Sequence, residues 1–228
     1  MGEKNIVRSN ILLGLGFALM IAALYLVFMF APAEEAMGQI QRIFYFHVSM
    51  AWVAFLAFFV VFICSILYLW KRAIKWDTIA RFSAELGIVF TTLVLITGPI
   101  WAKPVWGVWW IWEPRLTATL VLWLIYIAYL LVRSYAAEAS RGARFAAVLG
   151  IVGFIDVPIV YLSIHLWRTH HPPALVSDLV PSMLLTLLVS VAAFTVLYII
   201  LITRSISLSN LEAEVRQLKD ARANQRRS

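Results

Sequence analysis

Four histidines, His47, His165, His170 and His171, are the side chains best suited to hold a metal in this 228-residue chain. Neutral imidazole is a common metal ligand. The second notable group is the stretch WAKPVWGVWWIWEPRLT at 101–117, which carries Trp101, Trp106, Trp109, Trp110 and Trp112, half of the ten tryptophans. Indole is wide, flat and apolar with one N–H donor, and favours the membrane–water boundary. An aromatic belt is the plain reading, but belts place one or two Trp at each helix end. Trp106, Trp109, Trp110 and Glu113 follow i, i+3, i+4, i+7 spacing, which predicts one face of a helix lying on the membrane. Such a platform would suit a large planar apolar ligand.

The elements that position these groups are apolar. The chain is 63% hydrophobic and 14% charged, with mean hydropathy +0.88, the composition of an integral membrane protein. Apolar runs at about 11–31, 44–70, 84–101, 116–132, 145–166 and 182–203 predict an all-α protein with six transmembrane helices. The first run lacks a small-residue cleavage site and reads as a retained helix. Pro99 and Pro104 are expected to bracket the end of the third. Residues 1–203 form the membrane domain, and 204–228 a basic helical tail with Leu211, Val215 and Leu218 at coiled-coil spacing. A solvated tail is favoured over a partner-binding helix.

Of the nineteen Lys and Arg, fifteen fall in connections on one side when both termini are placed in the cytoplasm. The net charge of +7 therefore reflects topology and does not call for nucleic acid. All four histidines and the tryptophan stretch then lie at the outer face, with Arg42, Lys103, Arg115 and Arg168. Imidazoles for both axial positions of an iron, a wide apolar surface and cations for propionates together describe a site for haem. Glu113 would orient a Trp N–H or Arg115. Asp156, the carboxylate inside the fifth run, reads as structural, and the single cysteine, Cys64, as a buried apolar group. No nucleophile–base pair, phosphate loop or HExxH motif suggests an enzyme.

The segment WGVWWIWEPRLT (106–117) resembles the WGxWWxWDxRLT signature of the membrane haem-handling proteins of cytochrome c biogenesis. RIFYFHVSMAW (42–52) and VYLSIHLWRTHHP (160–172) are similar to the short CcmC-type members, over residues 10–203 in order. The resemblance implies binding of haem b, as transient cargo, at the outer face of the bacterial cytoplasmic membrane. It implies His47 and His171 as axial ligands, with His170 as rival to His171. Trp101, Trp106, Trp109, Trp110 and Trp112, with Glu113, Arg115, Arg42 and Arg168, would surround the cargo. The partners implied are a haem chaperone with a single membrane anchor, an ABC ATP-binding subunit and its membrane permease. Glu113 stands where the signature most often has Asp, which lengthens the carboxylate's reach by one methylene. The alternative is a compact haem–apocytochrome c ligase using the same site.

Overall fold

The structure is a computed structural model that describes residues 3–34, 37–167 and 179–225. Among the described residues, seven α-helices make six spans long and apolar enough to cross a membrane, so the protein is an all-α, multi-pass membrane protein. Helix α1 (Glu3–Tyr25) passes into a π-helical turn, Leu26–Phe30, and a 3₁₀ turn at Gln39–Gln41 leads into α2 (Arg42–Lys71). Then come α3 (Ile74–Trp106), α4 (Pro114–Tyr135), α5 (Ala139–Phe154), α6 (Asp156–Leu166) and α7 (Pro181–Gln225).

Helix α3 does not stop near Pro99; it starts ten residues earlier than the apolar run and carries both Pro99 and Pro104 inside it. Each proline removes one backbone donor, but neighbouring helices can re-satisfy a transmembrane helix around it. The helix ends instead at Gly107, whose φ of 76° is the left-handed conformation a residue without Cβ adopts at little cost, with its N–H on the Lys103 carbonyl at 3.0 Å. The fifth span, expected as one run, is two helices broken at Ile155. Pro158 has no N–H for the Phe154 carbonyl, and its ring crowds that group, so the interruption falls one turn before the proline. Asp156 therefore sits in the first turn of α6 and not in mid-helix.

Helices α2 and α3 form a hairpin closed by Arg72, itself left-handed at φ 54°, whose N–H reaches the Tyr68 carbonyl at 2.8 Å. Gly87 on α3 lets the Phe58 ring press against its backbone; a Cβ there would fall 2.4 Å from a ring carbon. That ring stacks on Tyr126 of α4 at 3.7 Å, so one glycine allows α2, α3 and α4 to share a core with Val53, Ala57 and Val61. Where α3 begins and α4 ends, Arg133 donates both terminal nitrogens to the Asp77 carboxylate at 2.5 and 2.7 Å. This pair is largely buried and fixes the register of the two helices. The last span and the tail are one 45-residue helix, α7.

Candidate functional site

The start of α2, the finish of α3 and the start of α4 meet at one end of the bundle. His47 lies in the second turn of α2 and is 9% exposed. Its Nδ1 is 2.8 Å from the Thr97 hydroxyl of α3. That hydroxyl already donates its hydrogen to the Leu93 carbonyl at 2.8 Å, so it accepts from His47 Nδ1–H. The ring's lone pair is therefore on Nε2, the nitrogen that suits a metal. Trp101, one turn beyond Thr97, meets the imidazole edge-to-face at 5.9 Å, and Phe44 meets the same indole at 6.1 Å. The imidazole is thus held on two sides.

Beside it a cavity of about 310 Å³ opens between α2, α3, α4 and α6. It is lined by His47, Trp101, Trp106, Trp110, Arg115 and Tyr161, and extends along the helices to Thr91 and Leu122. Small residues make the room: Ala51 on α2 and Gly98 and Ala102 on α3 all line the wall. Arg115, in the first turn of α4, lies within electrostatic reach of Glu113 and of the Tyr161 hydroxyl. Glu113 is 5% exposed and precedes Pro114, where its carbonyl accepts the first-turn bond from Thr117 N–H at 3.0 Å. The indole N–H groups of Trp101 and Trp110 are buried and lack an acceptor among the described residues.

The helix expected to carry Trp106, Trp109, Trp110 and Glu113 does not form. After Gly107 the chain is irregular to Glu113, so the periodicity of these residues does not translate into one face. The tryptophans divide instead. Trp106 and Trp110 face the cavity, while Trp109 and Trp112 are 59% and 73% exposed. Trp112 packs edge-to-face on Trp110 at 5.5 Å, and Lys103 lies over Trp109 while donating to the Gly107 carbonyl. Arg42 is not in the cavity lining; it donates to the Phe28 carbonyl and lies over the Phe28 ring, tying α2 to the π-helical turn. His165 falls in the last turn of α6. Arg168, His170 and His171 lie outside the described residues.

Two contributors were missed from the sequence. Thr97 is 50 residues from His47, and no local pattern pairs them. Tyr161 lies within the similar segment 160–172 but was not singled out; its place in the wall follows from the break at Ile155. A signal did exist on α2, where Phe44, His47, Val48 and Ala51 share one helical face, and all four line the cavity.

The fold and site together define a six-span membrane protein with a histidine in the wall of a tryptophan-lined cavity. A family model, heme exporter protein C, matches residues 5–221. The chain is 36% identical over 195 residues to a heme exporter protein C of Bradyrhizobium diazoefficiens, covering 83% of this chain and 74% of that one. It is 33% identical over 208 residues to a putative cytochrome c biosynthesis ccmC-like mitochondrial protein of Marchantia polymorpha, covering 88% and 89%. The heme exporter protein C of Escherichia coli K12 is 34% identical over 145 residues, 63% of this chain and 59% of that one. The chain belongs to the heme exporter protein C (CcmC) family. The matched region passes residue 203 and takes in most of the tail, which the sequence comparison of motifs had left outside.

Proposed function

We propose that this protein binds haem at the outer face of the bacterial cytoplasmic membrane and presents it to a membrane-anchored haem chaperone during c-type cytochrome maturation. It would work beside an ABC ATP-binding subunit and its permease, with both of its own termini in the cytoplasm. The names of its relatives support haem export and cytochrome c biosynthesis as the setting. The observation that carries the reading is His47, tautomer set by Thr97 and ring set by Trp101, beside a cavity walled by indoles.

In this reading haem b is cargo, not a resident cofactor. His47 Nε2 ligates the iron on one side. His171, or His170 one residue earlier, ligates on the other. Trp101, Trp106 and Trp110 lie along the macrocycle, and Arg115 neutralises a propionate while Glu113 holds Arg115 in place. The buried indole donors of Trp101 and Trp110 gain an acceptor when a carboxylate arrives, which offsets part of its desolvation. Arg42 acts at a distance by fixing the start of α2, and Arg168 would serve a propionate. Trp109 and Trp112, exposed at the same end, form the surface a chaperone meets. Coordination, stacking and ion pairing of this kind suit delivery of the cargo.

The test is maturation of covalent c-type cytochromes in a strain that lacks its own family member. Wild-type protein restores haem-stained cytochromes only when the chaperone is present, and His47→Ala does not. Restoration in a strain also lacking the chaperone would replace presentation with the ligase alternative.

A further inference from the structure

Helix α7 runs without a break from Pro181 to Gln225, so the residues after Arg204 leave the membrane along the axis of the last span and do not bend to lie on its surface. At 1.5 Å per residue, the 21 residues from Ser205 to Gln225 reach about 30 Å beyond it. Beyond Ile206, which still packs against the bundle core, this helix is polar except for one stripe. Leu208, Leu211, Val215 and Leu218 recur at 3, 4 and 3 residues and are 59%, 52%, 49% and 65% exposed. That is the a/d seam of two heptads.

The stripe has a direction. Stepping back by threes and fours from Leu208 through Arg204, Leu201 and Leu197 leads from exposed positions to Ala193, Ser190 and Thr186, which are buried in the bundle. The row facing lipid is another one, through Leu185, Leu188 and Ile199, which are 48%, 57% and 40% exposed. The two rows differ by about a third of a turn at 100° per residue. A second copy packed against the lipid-facing row of α7 would find the seam turned away. A helix arriving from the aqueous side meets the seam directly.

Charge beside the seam states what that helix carries. Glu212 and Glu214 flank its middle, and Lys219 and Arg222 follow its far end. We infer that the exposed seam of α7 is a docking site for one helix of a water-soluble cytoplasmic protein, apolar at heptad spacing, basic toward Glu212 and Glu214 and acidic toward Lys219 and Arg222. Two heptads are too short for a stable isolated coil. Here α7 is already helical because the membrane span nucleates it, so the partner supplies only its own ordering. The inference rests on the orientation given above, with the tail in the cytoplasm, and on nothing about haem.

The experiment uses the full-length protein in the Cys64→Ala background, co-produced with the partners of its maturation system. Leu208→Cys, Leu211→Cys, Val215→Cys and Leu218→Cys are compared with Asn210→Cys, Ala213→Cys and Gln217→Cys on the opposite side. Each is loaded with a thiol-linked benzophenone in inverted membrane vesicles, irradiated, and the adduct peptide sequenced. The inference expects adducts at the four seam positions only, with a heptad-bearing helix of a soluble subunit, reduced several-fold by Glu212→Lys with Glu214→Lys. Adducts with a second copy, equal yields at all seven positions, or no adduct at all would overturn it. A membrane-impermeant maleimide reports orientation separately on Leu211→Cys. Labelling only in right-side-out vesicles would overturn both this inference and the outer-face reading, whereas labelling only in inverted vesicles with no register dependence would overturn this inference alone.

Discussion

His47 and Thr97, 50 residues apart in the chain, are joined by a 2.8 Å hydrogen bond that decides which imidazole nitrogen keeps its lone pair. The threonine hydroxyl donates to its own helix and so is restricted to accepting from the ring. Partners of this kind behind a ligating histidine are typically worth about 10–100-fold in metal affinity. Thr97→Val, which keeps the shape and removes the acceptor, is expected to weaken haem binding by at least about tenfold. Thr97→Ser should stay within a few-fold of wild type. Titration of haem into apo-protein followed by absorbance checks both, and an unchanged Thr97→Val would show that the bond does not orient the ligand.

Tryptophans that line the cavity and tryptophans that are exposed should separate by phenotype. Trp106→Ala or Trp110→Ala removes a wall of the cavity and is expected to cost about 1.4 kcal/mol or more of haem affinity, a tenfold change. Trp110→Phe keeps a ring and loses the buried donor, so it should fall between alanine and wild type. Trp112→Ala should leave haem retention nearly intact while lowering cytochrome maturation in cells, because its indole is 73% exposed. Haem retention measured beside maturation in the same strains distinguishes the two groups.

The Asp77–Arg133 pair is expected to matter for folding and not for the site. Removing one partner of a buried ion pair leaves a desolvated charge and typically costs about 3–5 kcal/mol. Arg133→Ala should therefore lower the thermal unfolding midpoint in detergent, and Arg133→Lys should recover only part, since lysine cannot form the two-pronged contact seen at 2.5 and 2.7 Å. The surviving folded fraction should bind haem as wild type does.

Gly87 carries a packing prediction. A Cβ at this position would meet three atoms of the Phe58 ring, the nearest at 2.4 Å, and that ring is stacked against Tyr126. Gly87→Ala is expected to destabilise by about 1–3 kcal/mol, as overpacking does. Gly87→Ala combined with Phe58→Leu should recover part of the loss in the same unfolding assay.

What the sequence revealed and what it hid follow a physical line. The six spans were legible because each is a long apolar run, and a span needs only length and composition to be recognised. The end of α3 was not, because Pro99 and Pro104 are strong local stop signals that the surrounding helices override. The spacing of Trp106, Trp109, Trp110 and Glu113 misled for the opposite reason: periodicity describes a face only if the backbone is helical, and Gly107 ends the helix before that face begins. His47 stood out by type and by its place at the start of α2. Its partner did not, since Thr97 shows no sign of its role until α2 and α3 are packed side by side. The seam of Leu208, Leu211, Val215 and Leu218 could be read in part from spacing, but its direction required the continuous α7.

The most direct measurement is the absorption spectrum of detergent-purified protein produced with ample haem and its partners, beside His47→Ala, His170→Ala and His171→Ala. The account predicts a bis-histidine Soret with sharp α and β bands in wild type, and a weakened or shifted spectrum in His47→Ala and in one of the two later variants. A wild type that stays colourless, or a His47→Ala spectrum identical to wild type, would contradict it.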